Sequence, residues 1–249
     1  MAAREDEWLW GWDPTPGIVS VWAEGDGRVS VWRRVDGRLV REDGRFRPWM
    51  VIAHLADVEH LGRRLARAGS PEAAAAAVTY RELAGEGALR FLLRAADVRT
   101  LSAAVVQGAS RRLGRPIGHV RDLPDDDYLL LAADDQYLTA TGRTYFRGLA
   151  AADVRRMQVD LETTGLDPEA DRIFLVAVRF PDGATEVIEA PAAGDEAALI
   201  AALVARVREA DPDVLENHNL HGFDLPFLDA RARRLGVPLA LGRTGLAGL

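Results

Sequence analysis

The stretch Val154-Arg155-Arg156-Met157-Gln158-Val159-Asp160-Leu161-Glu162-Thr163-Thr164-Gly165-Leu166 decides the reading of this chain. From Met157 to Glu162 apolar and polar residues alternate, the two-residue period of a half-buried strand. Met157, Val159 and Leu161 fall on one face; Gln158, Asp160 and Glu162 fall on the other. The strand expected over 154–162 therefore ends in two carboxylates on one face, ~7 Å apart at ~3.3 Å of rise per residue. Two acids that close repel each other unless a cation neutralises them. Donors that are all oxygen suit Mg²⁺ or Mn²⁺. A bare Asp-x-Glu at a strand end is equally compatible with two solvated acids, so the surrounding sequence has to decide.

Downstream, Ile173–Phe180 and Thr185–Ala190 read as two further strands, joined through Pro181-Asp182-Gly183. A helix is expected over Asp195–Glu209, with Leu199, Ile200, Leu203, Val204 and Val207 at the 3.6-residue period. Asp211-Pro212-Asp213 ends it. Val214–Asn217 reads as a short strand, and Asp224–Leu235 as a second helix stopped by Gly236 and Pro238. The order β-β-β-α-β-α begins an RNase H-like mixed sheet, with only Val237–Leu249 left to add one more strand. Asp224 opens its helix, where an Asp is a good cap. The same strand–loop–helix placement would also carry its carboxylate toward Asp160 and Glu162. His218 and His221 flank this segment and read as loop residues, since no third imidazole or carboxylate stands at ligand spacing.

Upstream, a composition change near Ala150-Ala151-Ala152 sets the expected division into an α+β domain over 1–152 and an incomplete RNase H-like domain over 153–249, α/β overall. Asp-Gly turns at Asp36-Gly37 and Asp43-Gly44 separate alternating apolar runs, a strong hairpin signal. Helices are expected over 56–68, around Ala73–Ala77 after Ser70-Pro71, and over 97–113 between Asp97 as cap and Gly114 as stop. Trp8, Trp10 and Trp12 alternate at strand spacing and read as core. Asp125-Asp126-Asp127 reads as a solvated turn.

The chain has 249 residues and no Cys, which excludes disulfides, thiolate metal sites and Cys nucleophiles. All 31 basic residues are Arg, and the formal net charge is −7. Residues 1–150 hold 21 Arg and 21 acids, so the whole negative surplus lies in the last hundred residues. Such a half repels nucleic acid by net charge, unless divalent cations invert the sign locally. No apolar run reaches the roughly 20 residues of a bilayer span, and no apolar signal core opens the chain. A cytoplasmic protein without a membrane partner is expected.

Asp160-Leu161-Glu162-Thr163-Thr164-Gly165-Leu166 resembles the first exonuclease motif of the 3′–5′ proofreading exonucleases. Asp213-Val214-Leu215-Glu216-Asn217-His218-Asn219 followed by Phe223-Asp224-Leu225-Pro226-Phe227 resembles the second motif of family B DNA polymerases. Phe46-Arg47-Pro48-Trp49, the hairpin around Val29–Val35, Gly114-Arg115-Pro116-Ile117 and Tyr137–Gly142 are similar to the N-terminal domain of that family. The resemblance implies metal-dependent removal of nucleotides from a DNA 3′ end, with single-stranded DNA or a primer terminus as substrate. It implies a two-metal site of Mg²⁺ or Mn²⁺ held by Asp160, Glu162 and Asp224, which are also the implied catalytic residues. Thr163, Asn219 and Phe223 are the implied contacts to the terminal nucleotide; the residues alone also allow Thr163 and Asn219 as turn residues and Phe223 as core. The third motif, a Tyr followed by an Asp one helical turn later, has no counterpart: no Tyr follows Tyr145, and Asp229 is the sole acid after Asp224. The chain is thus expected to be the N-terminal third of such a polymerase, weak or inactive alone, with a separate polymerase-core chain as a partner. A non-catalytic module binding nucleic acid or a polymerase is the alternative expectation.

Overall fold

The computed structural model describes residues 12–247 and divides the chain into two compact units, Met1–Gly148 and Leu149–Leu249. The first unit contains two sheets. Strands β1 (Ile18–Ala23), β2 (Arg28–Val35) and β3 (Arg38–Arg45) form an antiparallel meander. Its apolar face, Ile18, Val21, Val29 and Val31, packs on Tyr137. The Arg-rich outer face is balanced by its own acids: Arg33 pairs with Glu42, and Arg41 with Asp43.

The rest of the first unit is β4 (Trp49–Ile52), α1 (Ala56–Glu59), β5 (Leu65–Arg67), β6 (Val78–Glu82), β7 (Phe91–Ala95), α2 (Val98–Leu113), β8 (Tyr128–Leu129) and α3 (Ala133–Thr141). The second sheet has the order β5-β6-β7-β4-β8. Helix α2 follows its sequence signals closely: Asp97 accepts the Thr100 N–H at 2.6 Å, and Gly114 ends the helix at φ 63°. Beneath it, Arg112 grips buried Asp57 with two bonds and reaches Asp127 at 2.7 Å, so Asp127 belongs to an internal ion network.

Four expectations for this unit are corrected; one is the turn at Asp43-Gly44, which lies inside β3, where Gly44 pairs with Val29. The helix expected over 56–68 stops at Glu59, because Gly62 takes φ +56° and Leu65 turns extended to pair with Val78. The Ala-rich stretch forms only a 3₁₀ turn over Pro71–Ala74, and the Ser70 side chain does not cap it. No residue from 71 to 77 is buried, so a helix there would have no apolar face to pack. Trp12 is not core: it is 76% exposed and lies beneath the Arg147 guanidinium at 4.1 Å. Trp8 and Trp10 lie outside the described residues.

The second unit runs β9 (Arg156–Thr163), β10 (Ile173–Arg179), β11 (Thr185–Glu189), α4 (Glu196–Ala210), β12 (Val214–Glu216) and α5 (Leu225–Leu235). This is the β-β-β-α-β-α order read from the sequence. The sheet order is β11-β10-β9-β12, with β9, β10 and β11 antiparallel and β12 parallel to β9. Met157, Val159 and Leu161 are buried against Leu199, Ile200 and Leu203 of α4 and Phe227 and Leu228 of α5. The apolar area buried by this two-helix cover stabilises the unit at roughly 25 cal/mol per Å². The strand expected within 237–249 does not form among the described residues. Leu239 and Ala240 are buried beside the helices, and Arg243 pins the segment to Asp211 and Asp213 at 2.8 Å each.

Candidate functional site

The strict alternation of β9 places Gln158, Asp160 and Glu162 on the sheet face away from the helices, and all three are exposed. The neighbouring strand β12 is short. Its last pair is Glu216 with Gln158, so the edge of β9 beyond that point has no backbone partner on this side. Two side chains take over. The Asn217 amide donates to Asp160 Oδ1 at 2.9 Å. At the next position, the Leu161 N–H is met by Asp224 Oδ1 at 3.4 Å. The segment between β12 and α5 is thereby stitched along β9, and it delivers Asp224 to the backbone between Asp160 and Glu162.

Asp224 ends a π-type turn, Leu220–Asp224, that leads into α5. Asn219 opens this turn, and its carbonyl accepts the N–H groups of Gly222 and Phe223. The fit is tight at Gly222, where an added Cβ would stand 2.3 Å from Asn219 Oδ1. Asn219 is exposed, as are His218 and His221. Phe223 is half-buried, packs on the core of the unit and lies 5.3 Å from the Phe227 ring. Its described contacts are therefore those of a core residue. Thr163 is half-buried, and its hydroxyl donates to the Gly165 carbonyl at 2.7 Å, the contact of a turn residue.

The turn after β9 is held by Asp171, which accepts from Thr164 Oγ1 and from the Asp167 N–H. Behind it lies a buried ion pair. Arg231 of α5 makes two bonds to Glu196 of α4, at 2.8 and 2.6 Å, and a third to the Pro168 carbonyl at 2.9 Å. Burial pushes the Glu196 carboxyl up, but the Arg231 bonds and the Ile173 N–H outweigh it and hold the group below the ordinary glutamate value. On the strand face, Arg156 bonds both oxygens of Glu216, and its hydrogen bond is the largest influence holding that carboxyl low.

The three candidate acids are treated differently. Among the described residues no arginine or histidine pairs with Asp160, Glu162 or Asp224, although the buried acids Asp57 and Glu196 are each clamped by an arginine. Asp224 is only 5% exposed. A buried carboxylate whose bond is a single long one is costly unless a cation offsets it. This hard-oxygen donor set, free of competing arginines, fits Mg²⁺ or Mn²⁺ in its chemistry. Its geometry is looser: among the described residues no three His, Cys, Asp or Glu side chains stand close enough together to hold an ion. Beside Asp160 the sheet face carries a hollow of about 540 Å³, lined among others by Gln158, Ala177, Arg179, Asn217 and His218. That volume lies within the range of small-molecule sites, roughly 300–1,000 Å³.

Sequence reading had placed Asp160, Glu162 and Asp224 at this strand end. Asn217, the last residue of the strand expected over 214–217, instead directly follows β12, which stops short of the acidic end of β9. Sequence reading had passed over Glu196 and Arg231, 35 residues apart and joined only by the packing of α4 on α5.

A mixed sheet whose first strand ends in two acids, with a third at the head of the helix after the fourth strand, has the RNase H-like arrangement expected from the sequence. Residues 152–246 match the family described as DNA polymerase family B, exonuclease domain. The chain is 42% identical over 77 residues to DNA polymerase 2 of Aeropyrum pernix, covering 31% of this chain and 10% of that protein. It is 32% identical over 120 residues to DNA polymerase 1 of Pyrococcus abyssi, covering 43% of this chain and 15% of that one. The family B DNA polymerase of Pyrobaculum calidifontis superimposes with a TM-score of 0.59 at 25% identity, over 92% of this chain and 33% of the other. Residues 152–246 are therefore similar to the exonuclease domain of family B DNA polymerases, and the chain spans a small part of the length of the curated relatives it matches.

Proposed function

We propose that the second unit binds a divalent cation through Asp160, Glu162 and Asp224 and presents it to the 3′ end of single-stranded DNA or a primer terminus, for 3′–5′ proofreading hydrolysis. The observation that carries this is the buried Asp224 carboxylate, brought to the backbone between Asp160 and Glu162 without an arginine to offset it. Divalent ions in such a site lower the pKa of bound water and stabilise the attacking and leaving oxygens. The chain's own residues do the rest. Asp160 and Glu162 supply charge on the sheet face, Asp224 supplies it at the strand edge, and Asn219 on the exposed turn contacts the terminal nucleotide. The hollow beside Asp160 receives the sugar and base, and Arg179, one of its lining residues, meets a phosphate. Thr163 and Phe223 act by shaping the turn and the wall beneath it.

A second reading is binding without turnover. The absence of a ready three-ligand group among the described residues favours it. In that reading the unit binds nucleic acid or a polymerase partner without hydrolysing it. One assay separates the two: release of 3′ nucleotides from a labelled single-stranded oligonucleotide with Mg²⁺ or Mn²⁺. Release that disappears in Asp160→Ala supports hydrolysis by this chain. Metal-dependent DNA binding without release supports the second reading. DNA binding without release that is indifferent to the metal and the substitution refutes the first reading, and the absence of both release and DNA binding refutes both.

A further inference from the structure

We infer that Asn217 is the positioning residue for Asp160, and that it acts by holding the carboxylate without cancelling its charge; the inference rests on the cation-binding role proposed above. An exposed Asp at a strand end has two free side-chain torsions, and each cation-binding geometry uses only a fraction of them. The Asn217 amide removes that freedom with its bond to Asp160 Oδ1 at 2.9 Å. The amide is itself fixed, because its Oδ1 accepts the His218 N–H at 2.6 Å. Only one amide orientation satisfies both partners, since the carboxylate requires a donor and the N–H an acceptor.

The residue next to it shows what the choice of an amide achieves. At Glu216, one position earlier, Arg156 and Gln158 occupy both carboxylate oxygens, and the arginine offsets the charge. At Asp160 the partner is neutral and takes one oxygen. The full negative charge remains on the sheet face, and Oδ2 is left for a ligand. Partners of this kind, one step behind a metal ligand, commonly change metal affinity by roughly 10–100-fold when removed.

The test is a double-mutant cycle on the full chain, read by Mn²⁺ binding from the paramagnetic resonance signal of free Mn²⁺, with thermal midpoints measured in parallel. Asn217→Ala is expected to weaken Mn²⁺ binding roughly tenfold with the thermal midpoint unchanged. It is expected to have no further effect in the Asp160→Ala background. Asn217→Arg, which adds a competing cation, is expected to weaken binding more than Asn217→Ala does. If Asn217→Ala leaves Mn²⁺ affinity intact while Asp160→Ala lowers it, the positioning role is overturned and the metal reading stands. If Asn217→Ala acts equally in both backgrounds or lowers the thermal midpoint, its role is structural and the inference fails. If the wild-type chain binds no Mn²⁺, or Asp160→Ala changes nothing, the metal reading fails and takes this inference with it.

Discussion

The substitution Arg231→Met isolates the ion pair behind the candidate site. Glu196 is 1% exposed and Arg231 7%, so the pair is out of water. Removing the arginine deletes its bonds at 2.8, 2.6 and 2.9 Å and leaves a buried carboxylate with only the Ile173 N–H as a described partner. Losing one partner of such a pair costs about 3–5 kcal/mol. Replacing both, as Glu196→Leu with Arg231→Met, removes the uncompensated charge. It leaves the Ile173 N–H unmet, at about 1–3 kcal/mol. The double variant is therefore expected to be more stable than the single one. At about 4–8 °C per kcal/mol for a unit of this size, the single variant lowers the thermal midpoint by at least about 12 °C. The two units can be followed separately, because all six Trp lie between Trp8 and Trp49. The expected result is a far-UV dichroism transition that moves while the tryptophan fluorescence transition stays. A loss below about 1 kcal/mol, or a double variant less stable than the single, would refute the reasoning.

Asp224→Asn removes a buried charge that has no arginine to offset it, so in the absence of metal the variant should be as stable as the parent or more so. Mn²⁺ should raise the midpoint of the parent and not that of the variant, as calorimetry with and without the ion would show; a large loss of stability in metal-free Asp224→Asn contradicts this. In the first unit, burial pushes the Asp13 carboxyl up, but bonds from Thr15 and Arg143 prevail and hold it at about 2 against an ordinary 3.8. A group depressed in the folded state stabilises it above the unfolded value and loses that contribution as pH falls through the folded one. Between pH 5 and pH 2.5 the fluorescence-detected stability of the parent should therefore fall by about 1–2 kcal/mol more than that of Asp13→Asn, allowing for partial solvent screening. An equal fall in both proteins would exclude this role for Asp13.

Strong local signals were legible. The alternation from Met157 to Glu162, the apolar period of Leu199 to Val207 and the caps Asp97 and Gly114 each depend on neighbours a few residues away, and the structure keeps them. Weak local signals yielded to partners far along the chain. Leu65 left its expected helix because pairing with Val78 satisfies its backbone. The alanines of 73–77 had good helix propensity and nothing to bury.

By itself the sequence determined which residues share a face of β9 and that Asp224 opens a helix, because strand and helix periods are properties of the backbone. Only the tertiary structure decided that β12 stops short of the acidic end of β9. Side chains complete that edge, with Asn217 turned to Asp160 and Asp224 to Leu161. Those partners are about 60 residues apart, and no local pattern encodes which of them meet.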